Sequence, residues 1–394
     1  MGSRQISDNR RRICVVITAR ASYARVKTVL EAIQAHPNLE LLPVVAASAL
    51  LERYGSVIDV IRADGFEPVE TVYMQVEGEN LITSAKSTGA GISELATVFD
   101  NLAPDMVLSI ADRYETIATA IAASYLNIPV VHIQGGEVTG SIDEKVRHAV
   151  TKLANVHFVA TQHAADRVIK MGEDPETVFV TGCPSIDLAA RIMKEDRDDF
   201  DVYDMAGGCG VGHTFDVSKG FLVVMQHPVT TEHEAATFQV EKTLNAIHNM
   251  ETPSFWFWPN VDAGSDATSA AIRRYRERHD PKHVYFLKNL SPENFLRLLQ
   301  RSCCIVGNSS VGIRECSFMG VPTVNIGSRQ GRRERAKNVI DVEYDEKAII
   351  SAVEKHIANG KFPSSELYGD GGAGKRIVEI LATFQPSHDK QITY

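Results

Sequence analysis

Short β-branched runs alternate with longer amphipathic stretches along nearly the whole chain, in two successive series. In the first, "ICVVIT" (13–18), "LLPVVA" (41–46), "MVLSI" (106–110), "PVVHI" (129–133), "VHFVA" (156–160) and "TVFVT" (177–181) read as strands, with helices over 24–36, 82–101, 114–126 and 141–154. Strands this uniformly apolar are buried on both faces, which parallel sheets covered by crossover helices achieve. The second series has strands "FLVVMQ" (221–226), "SFWFW" (254–258), "HVYFL" (283–287), "CCIVG" (303–307) and "VPTVNI" (321–326), with helices near 232–249, 266–279, 292–301, 311–319 and 346–358. The expected fold class is therefore α/β, with two Rossmann-like doubly wound domains and a cleft between them. The expected boundaries are an N-terminal tail at 1–11, a first domain at 12–200, a polar, Gly-rich linker or exposed loop at 201–219, a second domain at 220–385 and a C-terminal tail at 386–394.

A chain of 394 residues suits two domains. Its net charge of −9 excludes a broad basic face for nucleic acid, so any anionic ligand must be met locally. The basic residues of "MGSRQISDNRRR" precede no apolar stretch of signal-peptide length, and no run of 18 apolar residues occurs, so no membrane partner is expected. Cys14, Cys183, Cys209, Cys303, Cys304 and Cys316 form no C-x-x-C pair and sit mostly in strand-like runs; buried thiols in a reducing, cytoplasmic compartment are expected. His233 and Glu234 are followed by Thr237, not the second histidine of H-E-x-x-H, and "PNVDAGS" (259–265) lacks the repeating ligands of a calcium loop. Neither a metal nor a cofactor is called for.

In such sheets the chemistry lies just past the carboxyl ends of strands. Those positions hold Thr18, Arg20, Ser22 and Tyr23; Asp112, Arg113 and Glu115; Gln134, Gly135, Gly136 and Glu137; then Gln226, His227, Asn260, Asp262, Ser309, Ser310 and Arg329. His132 lies inside an apolar strand and reads as a core residue. His227 follows its strand, and Pro228 stiffens the turn that aims it at the cleft.

"IVGNSSVGIREC" (305–316) sets a hydroxyl-rich turn between a strand and a helix. Ser309 or Ser310 serves there as a helix cap, or the turn, with its outward N–H groups and Arg314, serves as an anion site. It is neither a Walker loop nor a G-x-G-x-x-G turn. "GSIDEKVRHAVTKLA" (140–154) carries a capping box, Ser141 with Glu144, above a buried stripe. Asp143 and Arg147 share a face, either as a surface ion pair or with Asp143 facing the cleft as a base.

Taken together, "TARASY" (18–23), "ADRYE" (111–115), "HIQGGEVTGSIDEKVRHAVTKLA" (132–154), "GCPSID" (182–187), "QHPVTTE" (226–232), "PNVDAGS", "GNSSVGIRE" (307–315) and "GSRQ" (327–330) resemble, in order, the hydrolysing UDP-N-acetylglucosamine 2-epimerases of sialic-acid-type biosynthesis. The resemblance implies a fold like the GT-B glycosyltransferases, UDP held mainly by the second domain, and a homodimer or homotetramer. It assigns Ser309 and Ser310 to the diphosphate, Glu315 to the ribose, and Arg20, Arg113 and His227 to phosphate charge. Arg329 and Asn260 complete the nucleotide pocket, and Ser22, Gln134, Arg147 and Gly312 join the substrate-binding set. The reaction it implies is anti elimination of UDP to a 2-acetamidoglucal, then hydration with inversion at C2 to N-acetylmannosamine. Asp112 and Asp143 match positions that handle the protons, with His227 assisting the leaving group.

Two positions depart from the family pattern. Ser22 stands where a carboxylate is frequent, and Gln134 stands where the family has Glu; an amide orients but does not exchange protons. Glu137 or Glu115 would then substitute, or the substrate would be a UDP- or GDP-linked diacetamido-trideoxyhexose. A non-hydrolysing epimerase, a GT-B glycosyltransferase and a nucleotide-sugar-binding regulatory module are the competing readings.

Overall fold

The first series of strands forms one parallel sheet from β1 (Arg11–Ile17), β2 (Leu39–Ala46), β3 (Glu70–Val72), β4 (Met106–Ile110), β5 (Val130–Ile133), β6 (Val156–Val159) and β7 (Val178–Val180), ordered β3-β2-β1-β4-β5-β6-β7. The second contains β8 (Gly210–Gly212), β9 (Leu222–Met225), β10 (Ser254–Phe257), β11 (Val284–Leu287), β12 (Cys304–Gly307), β13 (Thr323–Ile326) and β14 (Val339–Val342), ordered β14-β13-β12-β9-β10-β11-β8. The computed structural model describes residues 10–52, 55–78, 80–110, 113–139, 142–195, 201–208, 210–259 and 264–393. Asp112, Ser141, Cys209, Asn260 and Asp262 lie outside them.

Strand order reverses between β1 and β4 in the first sheet and between β9 and β12 in the second. At such a reversal neighbouring crossovers leave to opposite faces and a crevice opens beyond the carboxyl ends. Thr18 and Arg20 follow β1, Arg113 follows β4, His227 follows β9, and Ser309 and Ser310 follow β12. Both crevices thus carry the polar rim read from the sequence.

Three segments depart from the expected boundaries. Residues 201–219 are no plain linker: Val202 and Ala206 bury into the second-lobe core, and β8 pairs antiparallel with the edge strand β11. The Tyr203 ring packs edge-on against Tyr285 at 5.0 Å, anchoring a stretch whose glycines had obscured its apolar residues. The helix Ala373–Thr383, expected in the second domain, instead sets Ile377, Val378 and Leu381 into the first-lobe core against the helix Arg20–Ala35. The tail expected at 386–394 is also bound down. Lys390 donates to the Glu173 carboxylate, and Asn155 Nδ2 donates to Ser387 O at 2.9 Å. The helix Pro184–Met193 packs on Arg20–Ala35 and on Pro292–Arg301 and Glu315–Met319, so it touches both lobes.

Buried histidines set the pH response. Burial lowers the pKa of His157, with Glu173 opposing, and that of His356. His227, buried beside three arginines, lies well below the ordinary 6.5. Glu173 is held at about 2: burial would raise it, but His157, Lys152 and Lys390 outweigh that. In each case the unfolded chain binds protons that the folded chain refuses, so stability falls as pH drops below 6.5 for the histidines and below 4.5 for Glu173. Melting temperature at constant ionic strength is expected to decline from pH 7 to pH 4; a flat profile would contradict these burials.

Candidate active site

The cleft between the sheets has a volume of about 890 Å³ and is lined from the first lobe by Arg20, Ala21, Ala24 and Arg25, and from the second by His227, Ser309, Ser310, Arg314, Glu315 and Arg329. Met225, Phe257, Leu290, Phe295 and Leu296 form an apolar end suited to a flat base. Arg20 is also the wall shared with an adjoining cavity of about 1110 Å³, where Arg113 sits with Arg273, Arg276 and Lys288.

The hydroxyl cradle is built by β12 and its turn. Gly307 has φ +137°, and a Cβ there would stand 2.2 Å from Met225 O, so only glycine brings β12 this close to the end of β9. Asn308 follows, fully buried. Its side chain accepts from His227 N and donates to His227 O, both at 2.8 Å, and its carbonyl accepts from Gln330 Nε2 at 2.9 Å and Arg329 at 3.3 Å. One residue therefore ties the histidine turn, the serine turn and the arginine loop together. Ser309 caps the turn Ser310–Ile313, accepting from Val311 N at 3.4 Å. Cap and cradle are thus compatible: Ser309 holds the turn while both serines face the cleft.

From the first lobe, the helix Arg20–Ala35 begins directly after β1 with no side-chain cap, which leaves its positive end at the cleft. Arg20 donates to Asn289 Oδ1 at 2.5 Å and Lys288 O at 3.2 Å across the cleft. Burial lowers its pKa only to about 10, so it remains cationic at neutral pH. Arg25 reaches Ser310 Oγ at 3.3 Å, and Lys27 bridges Asp64 at 2.7 Å and Glu293 at 2.5 Å. His227, by contrast, is neutral in the free protein; burial, then Arg329, Arg20 and Arg113, disfavour its protonation.

Several expected site residues are placed elsewhere. Ser22 is buried, with Oγ 3.4 Å from Thr18 Oγ1, because its position on the helix turns it toward β1 and away from the cleft. Gly312 faces β13; a Cβ would meet Thr323 Cγ2 at 2.6 Å, so this glycine lets the turn lie flat on its sheet. Arg147 is buried, donating to Glu137 O at 2.9 Å and to Glu144 at 3.0 Å, so it braces the loop before its helix. Glu144 also accepts from Thr139 N at 2.6 Å and is 3.0 Å from His148 Nε2, while the N-cap of its helix is Ile142, without a side-chain cap, and not the expected Ser141. Glu137 is buried between Arg333 at 2.9 Å and Arg314 at 3.4 Å. Glu115 is held by Arg113 Nε at 2.8 Å. Neither carboxylate lines the cleft, and each is paired with a guanidinium, so both act as counter-ions.

Gln134 adopts φ +69° and is buried, donating to Cys183 Sγ at 2.8 Å and accepting from Arg314 at 3.4 Å. Asp143 opens the helix Asp143–Leu153 at the end of the bracing loop. Arg25 on the cleft wall, and Asn308 and Arg333 behind it, are not among the expected site residues: each sits on a helix or loop face whose direction depends on tertiary packing.

Comparison with known proteins follows the same lines. The family model for UDP-N-acetylglucosamine 2-epimerase matches residues 31–382. The chain is 34% identical over 380 residues to the hydrolysing UDP-N,N'-diacetylbacillosamine 2-epimerase of Legionella pneumophila, covering 96% of this chain and 97% of that one. It is 29% identical to a UDP-N-acetylglucosamine 2-epimerase of Neisseria meningitidis, covering 94% and 95%. The crystal structure of Neisseria meningitidis UDP-GlcNAc 2-epimerase bound to UDP-GlcNAc matches with a TM-score of 0.77 at 18% identity, covering 94% of this chain and 99% of that one; what is shared at that identity is the fold.

Proposed function

Because the chain belongs to the UDP-N-acetylglucosamine 2-epimerase family, we propose that it is a hydrolysing 2-epimerase that converts UDP-N-acetylglucosamine to N-acetylmannosamine and UDP. The observation that carries this reading is the cradle of Ser309 and Ser310, with no lysine among its described lining residues, ringed by Arg20, Arg25, Arg314 and Arg329 and closed at one end by apolar side chains. It suits a nucleoside diphosphate, whose charge meets fixed donors and whose base meets the apolar end.

In this reading the serine hydroxyls and turn N–H groups take the diphosphate, and Glu315 takes the ribose hydroxyls. Arg329 and Asn260 complete the nucleotide pocket. The C2 hydrogen of the sugar is not acidic until the C1–O bond begins to ionise. Preorganised positive charge around the departing UDP favours that ionisation, and the developing oxocarbenium ion then acidifies C2. Asp112 and Asp143 exchange the protons in elimination and hydration, and Gln134 orients through its amide. No metal takes part in this scheme, and a homodimer or homotetramer in the cytoplasm is the expected form.

A second reading is favoured by the Legionella relative, whose name gives a 2,4-diacetamido sugar as substrate. The same elimination applies to it. Incubation with UDP-N-acetylglucosamine and with UDP-N,N'-diacetylbacillosamine, followed by NMR of the products, separates the possibilities. Free N-acetylmannosamine with UDP supports the first reading and a free diacetamido sugar the second. UDP-N-acetylmannosamine as the end product would reject hydrolysis.

His227 supplies a prediction. Burial, and then three arginines, hold its pKa well below 6.5; bound diphosphate offsets the arginines, so binding raises that pKa and takes up a proton. Calorimetric titration with UDP near pH 6 in buffers of different ionisation enthalpy is expected to show net proton uptake. Uptake should vanish in His227→Gln; identical uptake in the variant would remove His227 from phosphate recognition.

A further inference from the structure

The hydroxyl of Ser310 is approached by two guanidiniums from different lobes. Arg314 donates to its Oγ at 3.0 Å and Arg25, from the first lobe, at 3.3 Å. A serine hydroxyl has two acceptor lone pairs and one proton. With both lone pairs occupied by N–H donors, the proton is the group that remains to face the cleft. An anion there needs a donor.

What holds Arg314 in this position belongs to the first lobe. Its Nη1 lies 3.4 Å from both Gln134 Oε1 and Glu137 Oε2, and its side chain is only 1% exposed. Gln134 is fixed in turn by Cys183, and Glu137 by Arg333 at 2.9 Å. Glu315 Oε2 is 3.8 Å from Arg314 Nε on the remaining side. The guanidinium therefore spans the seam, with its forked donors divided between the buried Gln134–Glu137 loop of one lobe and the serine cradle of the other.

We propose that Arg314 is a positioning residue through which contact with first-lobe Gln134 and Glu137 orients the Ser310 hydroxyl to donate its proton to the diphosphate. The cradle is then fully donating only when the lobes are together. In an opened state Arg314 and Arg25 part from their partners and the Ser310 proton is free to rotate away. This inference rests on the UDP reading above and adds to it the group that makes the cradle competent. It also assigns Glu137 the role of anchor for Arg314.

The test is a double-mutant cycle on UDP affinity, measured by calorimetry on Arg314→Met, Ser310→Ala and the double variant, with thermal melts to verify folding. Each single variant is expected to weaken UDP binding at least about tenfold, the scale of a lost charge-assisted contact. The double variant should lose little more than either single one, because one pathway is broken twice. Arg314→Lys retains charge without the fork and should bind UDP as poorly as Arg314→Met. Should Arg314→Met fail to fold, Arg314→Lys replaces it in the cycle. Losses that add in the double variant would mean Arg314 contacts UDP independently and would overturn the proposal, as would unchanged affinity in the single variants. Glu137→Gln should weaken UDP binding and keep the wild-type pH profile of kcat/KM; loss of one limb of that profile would make Glu137 a base and overturn its role as anchor. A wild-type protein that binds UDP but turns over no UDP-sugar counts against the proposed reaction alone, since this comparison reads UDP binding.

Discussion

Asp143→Asn is expected to lower product formation at least about a hundredfold while UDP still binds with near wild-type affinity, the usual scale for a lost acid or base. The substitution keeps the size and hydrogen-bonding reach of the side chain and removes only its capacity to exchange protons. Three nearby carboxylates are paired with guanidiniums: Glu115 with Arg113, Glu137 with Arg314 and Arg333, Glu144 with Arg147. The proposed reaction assigns the proton traffic at C2 to Asp143, at the opening of its helix, and to Asp112, two residues beyond the end of β4. Asp112→Asn should give a loss of the same order. Steady-state release of UDP from a UDP-sugar, beside calorimetric UDP binding, checks both variants. Unchanged turnover in either would clear that carboxylate of a chemical role.

Gly307→Ala is expected to destabilise the protein on the order of 3 kcal/mol or more and to abolish UDP binding in what remains folded. The added methyl would stand 2.2 Å from Met225 O and 2.6 Å from its carbonyl carbon, both backbone atoms, at a φ of +137° that L-residues rarely adopt. Relief requires β12 to move off β9, and that movement separates Asn308 from the His227 backbone. Gly89→Ala is the control. That glycine lies within the helix Leu81–Leu102, and its added methyl would meet nothing within 4 Å, so alanine should be neutral or raise the melting temperature. A melt of Gly307→Ala indistinguishable from wild type would show that β12 has slack at its end and that the cradle does not depend on this close approach.

The fold is legible in the sequence because its signal is carried by many residues at once. Runs such as "CVVI" and "LVVM" are strands by β-branching and by the absence of polar alternation, and the reversal of strand order follows from two series of crossovers. The short strands β3, β8 and β14 escape such a reading because their few residues are only partly buried and lie beside turns. Ala373–Thr383 falls to the wrong lobe because periodicity shows that a helix has an apolar face, not which core receives it.

At the site, chain position suffices to put Arg20, His227, Ser309, Ser310 and Arg329, each just beyond a strand end, on the cleft wall, and the family resemblance adds Glu315. It fails for Ser22, Arg147 and Gly312, whose side or face is set by helix rotation and neighbouring strands. Glu137 is the instructive case. A carboxylate beside a Gly-rich turn looks like a base in one dimension, and only the fold brings Arg314 and Arg333, almost two hundred residues away, to pair with it.

The most direct measurement is the reaction of UDP-N-acetylglucosamine in heavy water, with the sugar product examined by NMR and mass spectrometry. Elimination across the cleft followed by hydration predicts free N-acetylmannosamine with one deuterium at C2, released together with UDP. A sugar product that retains its original hydrogen at C2 would mean that this bond is never broken, and the proposed chemistry would be contradicted.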